Sequence, residues 1–113
     1  MHEVSIMGEV FEIIEDNVVN HNIKKVNKVI IDIGEFTCVE ESALRFSFDT
    51  MKIDTACEDS DFIINKIPAT AKCDDCGEVF NVSYTNKLCS ICNKFSNNIL
   101  TGYELSLQTI EGE

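Results

Sequence analysis

One apolar stripe at helical period, a second behind a capping pattern, three short strand-like runs and two C-x-x-C pairs together predict an α+β protein. It is read as a small three-stranded sheet with two helices, plus an inserted four-cysteine zinc-ribbon module. The first stripe is Met7, Val10, Phe11, Ile14 and Val18, with Glu9, Glu12, Glu15 and Asp16 on the opposite face, so a helix is expected to end near Asn20-His21-Asn22. Val26 to Ile33 is rich in β-branched residues and closed by Gly34, which reads as a mostly buried strand.

Thr37-Cys38-Val39-Glu40 has a hydroxyl followed three residues later by a carboxylate, the capping-box pattern. It introduces Leu44, Phe48 and Met51 at helical spacing and predicts a second helix over about 39–56. Asp61 to Ile67 is a second strand, stopped by the only proline, Pro68. Glu104 to Ile110 alternates Leu105 and Leu107 against Ser106 and Gln108, giving a third strand with one exposed face. Residues 1–68 and 101–113 thus form an α/β body, and 69–100 an insertion before the final strand.

The insertion carries the chemistry. Cys73-Asp74-Asp75-Cys76 and Cys89-Ser90-Ile91-Cys92 are two pairs with twelve residues between them. Each tight turn aims two thiolates at one ion, and two turns supply the four sulfurs that tetrahedral zinc accepts. Gly77 and Asn93 follow the pairs at equivalent places, where a left-handed residue is needed to close the turn. Rubredoxin-type iron, a redox dithiol and plain disulfides are the rivals for the same sulfurs. Of the remaining cysteines, Cys38 and Cys57 are expected as buried small hydrophobes, and His21 as a solvent-facing partner of a helix C-terminus.

The 113 residues carry 9 Lys+Arg against 20 Asp+Glu, a net charge of −11. Such a surface repels phosphate backbones, and residues 71–97 hold three lysines against three acids, so no basic stripe exists for nucleic acid. No apolar run approaches the roughly 20 residues of a membrane span, and no signal segment opens the chain, which makes the cytoplasm the expected compartment. His2-Glu3-Val4-Ser5-Ile6 lacks the second histidine of a zinc-protease helix, and with His2 and His21 alone a three-histidine catalytic zinc is impossible. No nucleophile–base pair or phosphate loop is visible, so no enzyme is expected.

Met1-His2-Glu3 admits two readings. The terminal amine, the His2 amide nitrogen and one imidazole nitrogen can close fused chelate rings of the planar, nitrogen-rich kind that Ni(II) and Cu(II) prefer. Alternatively it is a frayed terminus before a helix capped by Ser5, with Glu3 favourable to the helix dipole.

Here the residues resemble a known family, the hydrogenase nickel-incorporation metallochaperones HypA/HybF. The resemblance runs from Met1-His2-Glu3-Val4-Ser5 through Ile31-Asp32-Ile33-Gly34-Glu35-Phe36, Glu41-Ser42-Ala43-Leu44-Arg45-Phe46-Ser47-Phe48 and Ile67-Pro68-Ala69. It closes with the two cysteine pairs, Gly102-Tyr103-Glu104-Leu105 and Ile110-Glu111. It implies a nickel-binding domain at 1–68 and 101–113 and a zinc-binding domain at 69–100. Nickel would be held as cargo at Met1, His2 and Glu3, and structural zinc at Cys73, Cys76, Cys89 and Cys92. Glu40 is a candidate acidic neighbour of the nickel site, although its place in a capping box is sufficient to explain it.

The resemblance further implies docking to the family's nickel-handling GTPase and delivery to the large subunit of a [NiFe]-hydrogenase, by a monomer or homodimer. The competing expectation is a zinc-ribbon interaction adaptor without cargo metal.

Overall fold

The computed structural model describes residues 3–113. The first helix, α1 (Glu3–Asn20), buries Met7, Val10, Phe11 and Ile14 of the stripe that the periodicity selects and leaves its last member, Val18, half-buried. Ser5 lies inside its first turn rather than at a cap position. Asn22, in left-handed conformation (φ 51°), turns the chain out of the helix toward β1 (Val26–Gly34). His21 is exposed at that end.

The segment after β1 departs from the capping-box expectation. Glu35–Thr37 forms a single 3-10 turn, and the Thr37 hydroxyl donates back to the Gly34 carbonyl (2.9 Å) instead of capping forward. Cys38 then takes a left-handed φ of 60°, and α2 begins only at Glu41, running to Met51. Glu40 is the residue at the cap, in extended conformation with no side-chain cap bond, and its carbonyl accepts the first helical bond from the Leu44 N–H (3.1 Å). The second helix is therefore shorter than 39–56 at both ends.

Its C-terminal limit also has a local cause. After the Lys52 N–H bonds the Phe48 carbonyl, Asp54 adopts φ 63° and the chain coils through 52–59. That coil is pinned to the start of β1: the Val26 N–H donates to the Ala56 carbonyl (2.9 Å), and the Ser60 hydroxyl donates to the Val26 carbonyl. Cys57, 1% exposed, is the buried small hydrophobe expected, and burial raises its thiol pKa.

The strands β2 (Asp61–Ile67) and β6 (Leu105–Gly112) flank β1 in a three-stranded sheet of order β2-β1-β6. Three further short strands, β3 (Thr70–Lys72), β4 (Val79–Asn81) and β5 (Ile99–Thr101), form a second sheet with β3 in the middle and both neighbours antiparallel to it. The chain divides into two compact units.

The first unit holds 1–32, 38–65 and 106–113. Its core joins Met7, Phe11 and Ile14 of α1 to Val26, Val29 and Ile31 of β1 and to Leu44 and Phe48 of α2. Phe48 is its aromatic centre, stacked on Phe62 (ring centroids 4.4 Å apart, planes 4° apart) and packed against Phe11 at 5.4 Å. Backbone bonds from the amides of Lys24 and Lys25 to the Glu113 carbonyl close this unit at the C-terminus (2.8 and 3.0 Å).

The second unit holds 33–37 and 66–105, so it takes the 3-10 turn after β1 as well as the cysteine-rich stretch. The reason is packing: Phe36 belongs to the cluster formed by Ala69, Ala71, Phe80 and Val82, and the Tyr84 hydroxyl donates to its carbonyl (3.0 Å). Gly34 and Gly102 approach so closely here that a Cβ on Gly34 would lie 2.2 Å from the Gly102 backbone. Replacing Gly34 with Ala should therefore destabilise the protein by about 1–3 kcal/mol through overpacking. Gly8→Ala, whose Cβ would first meet the Met51 methyl at 3.9 Å, should instead stabilise α1 by about 0.5–1 kcal/mol. Urea unfolding of the metal-loaded variants checks both signs.

Candidate metal centre

The four paired cysteines are held by two turns built alike. In the first, the Cys73 N–H donates to the Glu78 carbonyl (2.8 Å) and the Gly77 N–H donates to the Cys73 carbonyl (3.0 Å), with Gly77 at φ 75°. In the second, the Cys89 N–H donates to the Lys94 carbonyl (2.8 Å) and the Asn93 N–H to the Cys89 carbonyl (3.0 Å), with Asn93 at φ 60°. Glycine and asparagine occupy these two places because they tolerate the left-handed region best.

Each turn presents its sulfurs to the other. Cys73 and Cys92 sulfurs lie 3.4 Å apart, those of Cys76 and Cys89 3.6 Å apart, and all four lie within 4.8 Å of one another. A tetrahedral ion with zinc–sulfur bonds of about 2.3 Å needs sulfurs about 3.8 Å apart, so the constellation fits one such ion with small adjustments. Among the described residues, this is where His, Cys, Asp or Glu ligand atoms gather in a way that could hold a metal.

Backbone amides prepare the thiolates. Cys73 is lowered to about 7 because the N–H groups of Cys76 and Asp75 bond its sulfur, and the neighbouring sulfurs of Cys92 and Cys76 add to this against the cost of burial. Cys89 shifts down likewise, through the N–H groups of Cys92 and Ile91, the latter 3.4 Å from its sulfur. For Cys76 the Glu78 N–H favours the thiolate, but burial and the sulfurs of Cys89, Cys73 and Cys92 outweigh it and push the thiol up to about 12. Cys92 also goes up: the sulfurs of Cys73 and Cys89 and burial overcome the Lys94 N–H. The amide bonds favour the thiolates, the crowding of sulfurs opposes ionising all four together, and a bound cation would remove that opposition.

Lys94 and Asp75, one from each turn, form an ion pair at 2.5 Å, which raises the Lys94 pKa. Both side chains are mostly exposed, so the pair orients the turns more than it stabilises them. Its signal in the sequence is the matched position of an acid inside the first pair and a lysine just after the second.

The other candidate residues are placed differently. Met1 and His2 lie outside the described residues. Glu3 sits in the first turn of α1, and its carboxylate accepts a hydrogen bond from the Glu40 N–H (3.1 Å). Glu40 in turn accepts from the Ser42 hydroxyl through its own carboxylate (3.0 Å). The position of Glu40 beside Glu3 follows from the fold and not from a capping box. Cys38 corrects the expectation of burial: its left-handed backbone turns it out of the core, and it is exposed.

Comparison with known proteins bears on the whole chain. Residues 1–112 match the family described as hydrogenase/urease nickel incorporation, metallochaperone, hypA. The hydrogenase maturation factor HypA of Desulfitobacterium hafniense is 37% identical over 113 residues, covering 100% of this chain and 99% of that protein. The hydrogenase maturation factor HybF of Escherichia coli is 37% identical over the full length of both. The solution structure of the Ni metallochaperone HypA from Helicobacter pylori, 24% identical, superposes with a TM-score of 0.67 over 99% of this chain and 97% of that one, the same fold.

Two outcomes follow from the sulfur geometry. Adding one equivalent of Zn(II) to metal-free protein at pH 7 should release at least two protons, since ordinary cysteine thiols, with pKa about 8.5, are protonated at that pH and zinc binds thiolates; a pH indicator in weak buffer measures it. Cys73→Ala should abolish stoichiometric zinc binding and unfold the second unit, while the helical circular dichroism of the first persists.

Proposed function

The chain belongs to the HypA family of hydrogenase/urease nickel-incorporation metallochaperones, and from that premise we propose that it carries Ni(II) on Met1-His2-Glu3 and delivers it during [NiFe]-hydrogenase maturation. The observation that carries this reading is the family match from residue 1 to 112, which takes in the terminal triplet together with both cysteine pairs. The Met1 amine, the His2 amide and the His2 imidazole offer nitrogen donors that suit Ni(II), and the fourth position falls to Glu3 or an outside ligand. The bond from the Glu40 N–H to the Glu3 carboxylate supports it by holding the residue next to His2 against the 38–40 loop.

In the same reading Cys73, Cys76, Cys89 and Cys92 hold Zn(II). When bound it supplies folding free energy rather than reactivity, because four thiolates leave no open position. The domains then divide the work: 1–68 with 101–113 carry cargo, and 69–100 carry the structural ion. The chain performs no catalysis and acts in the cytoplasm. Handover goes through contact with the maturation GTPase and the hydrogenase large subunit. No described helix is long and apolar enough to cross a membrane.

A carrier has to let go of its cargo. One imidazole plus terminal nitrogens gives a site that opens by protonation. Bound nickel should therefore fall as pH drops through about 6.5, where histidine takes up its proton. Calorimetric nickel titration of zinc-loaded protein should show one site in the wild type and at least a tenfold loss of affinity in His2→Ala. A two-residue N-terminal extension should weaken binding similarly. Equal affinity in wild type and His2→Ala overturns the site.

A further inference from the structure

Within the first unit, α1 and α2 leave a surface groove of about 480 Å³ lined by Glu3, Val4, Ser42, Ala43, Phe46 and Ser47. Two of its walls are apolar and in water: Phe46 is 73% exposed and Val4 65%. Neither is needed by the core, which α2 supplies through Leu44 and Phe48 and α1 through Met7, Val10, Phe11 and Ile14. An aromatic ring beside an aliphatic side chain in a groove between helices has the form of an anchor site for an amphipathic helix.

The charges around it select the occupant. Glu3 lines it and Glu40 adjoins it, linked by the Glu40 N–H on the Glu3 carboxylate and by the Ser42 hydroxyl on the Glu40 carboxylate. Arg45, the one basic residue of α2, does not line the groove and is engaged by Glu41 (3.5 Å) and the Phe62 carbonyl (2.9 Å). Counted over 1–32, 38–65 and 106–113, the unit holds fifteen acids against five bases. A second copy of this chain would bring acid against acid there, whereas a Lys/Arg-bearing segment would meet complementary charge around an apolar centre.

We propose that the Val4–Phe46 groove is the docking site for a basic amphipathic helix of a partner protein. The inference builds on the carrier reading, since it puts the docked segment beside Glu3 and hence beside the proposed cargo. Apolar contact with Phe46 and Val4 supplies the holding force, and the acidic rim speeds encounter and excludes acidic partners.

The test needs no nickel. A fluorescein-labelled amphipathic Lys/Leu helix of about five turns is titrated with zinc-loaded protein by anisotropy. It should bind, more weakly as salt rises. The equally basic Lys/Ser peptide and the Glu/Leu peptide should not. Phe46→Ser should weaken binding at least tenfold, and Ile53→Ser, at another exposed apolar position of the unit (58%), should leave it unchanged. Equal binding by Phe46→Ser and wild type overturns the groove as the site. Sedimentation showing a wild-type dimer that Phe46→Ser dissociates also overturns it, in favour of a second copy. Nickel titration of Phe46→Ser is a separate readout: unchanged nickel affinity with lost peptide binding supports the groove, and a failure of nickel binding in wild type sinks the carrier reading while the peptide result stands.

Discussion

The convergence of four sulfurs is the constraint on which the second unit rests. Its buried apolar residues outside the cysteines are Ile33, Phe36, Ala69, Ala71, Phe80 and Val82, and two of the six are alanines. That is too little apolar area to order a chain of this size in water, so the ordering has to come from a cross-link. Two turns whose thiolates meet supply it. Cys73 and Cys89 belong to the buried cluster themselves, so residues that could hold an ion also complete the packing. Ser96, 1% exposed, bonds the Lys72 carbonyl (2.6 Å) and ties the stretch after the second pair back to the central strand.

The first unit is stabilised in the ordinary way, by apolar burial around Phe48, and it carries nearly all of the net charge. Its fifteen acids against five bases compare with five against four in the second. Acidity on this scale would be a liability for a nucleic-acid binder. For a protein proposed to collect a divalent cation and meet basic partner surfaces it is an advantage.

Much of this was legible in the sequence, and the failures have physical reasons. The stripe of α1, the β-branched run of β1 and the two cysteine turns are strong local signals, down to Gly77 and Asn93 in left-handed conformation. Thr37 to Glu40 misleads because a hydroxyl and a carboxylate at capping spacing can be used otherwise. Here Phe36 is drawn into the second unit, the Gly34 carbonyl takes the Thr37 hydroxyl, and Cys38 bends the chain before the helix starts. The end of α2 was equally hidden, since Asp54 makes the left-handed turn where a glycine would have announced it. The strands β3, β4 and β5, three residues each, are too short to show a period. The contact of Glu3 with Glu40 joins positions 37 residues apart and has no local signature at all.

The proposed assignment puts two metals on two chemistries, nitrogen-rich donors at the terminus for cargo and four sulfurs for structure. X-ray absorption at the nickel and zinc edges of protein loaded with one of each metal tests that assignment most directly. It should show a nickel shell of nitrogen and oxygen with imidazole scattering and no sulfur, beside a zinc shell of four sulfurs. Sulfur in the nickel shell would contradict it, because cargo and structural ion would then compete for the same cysteines.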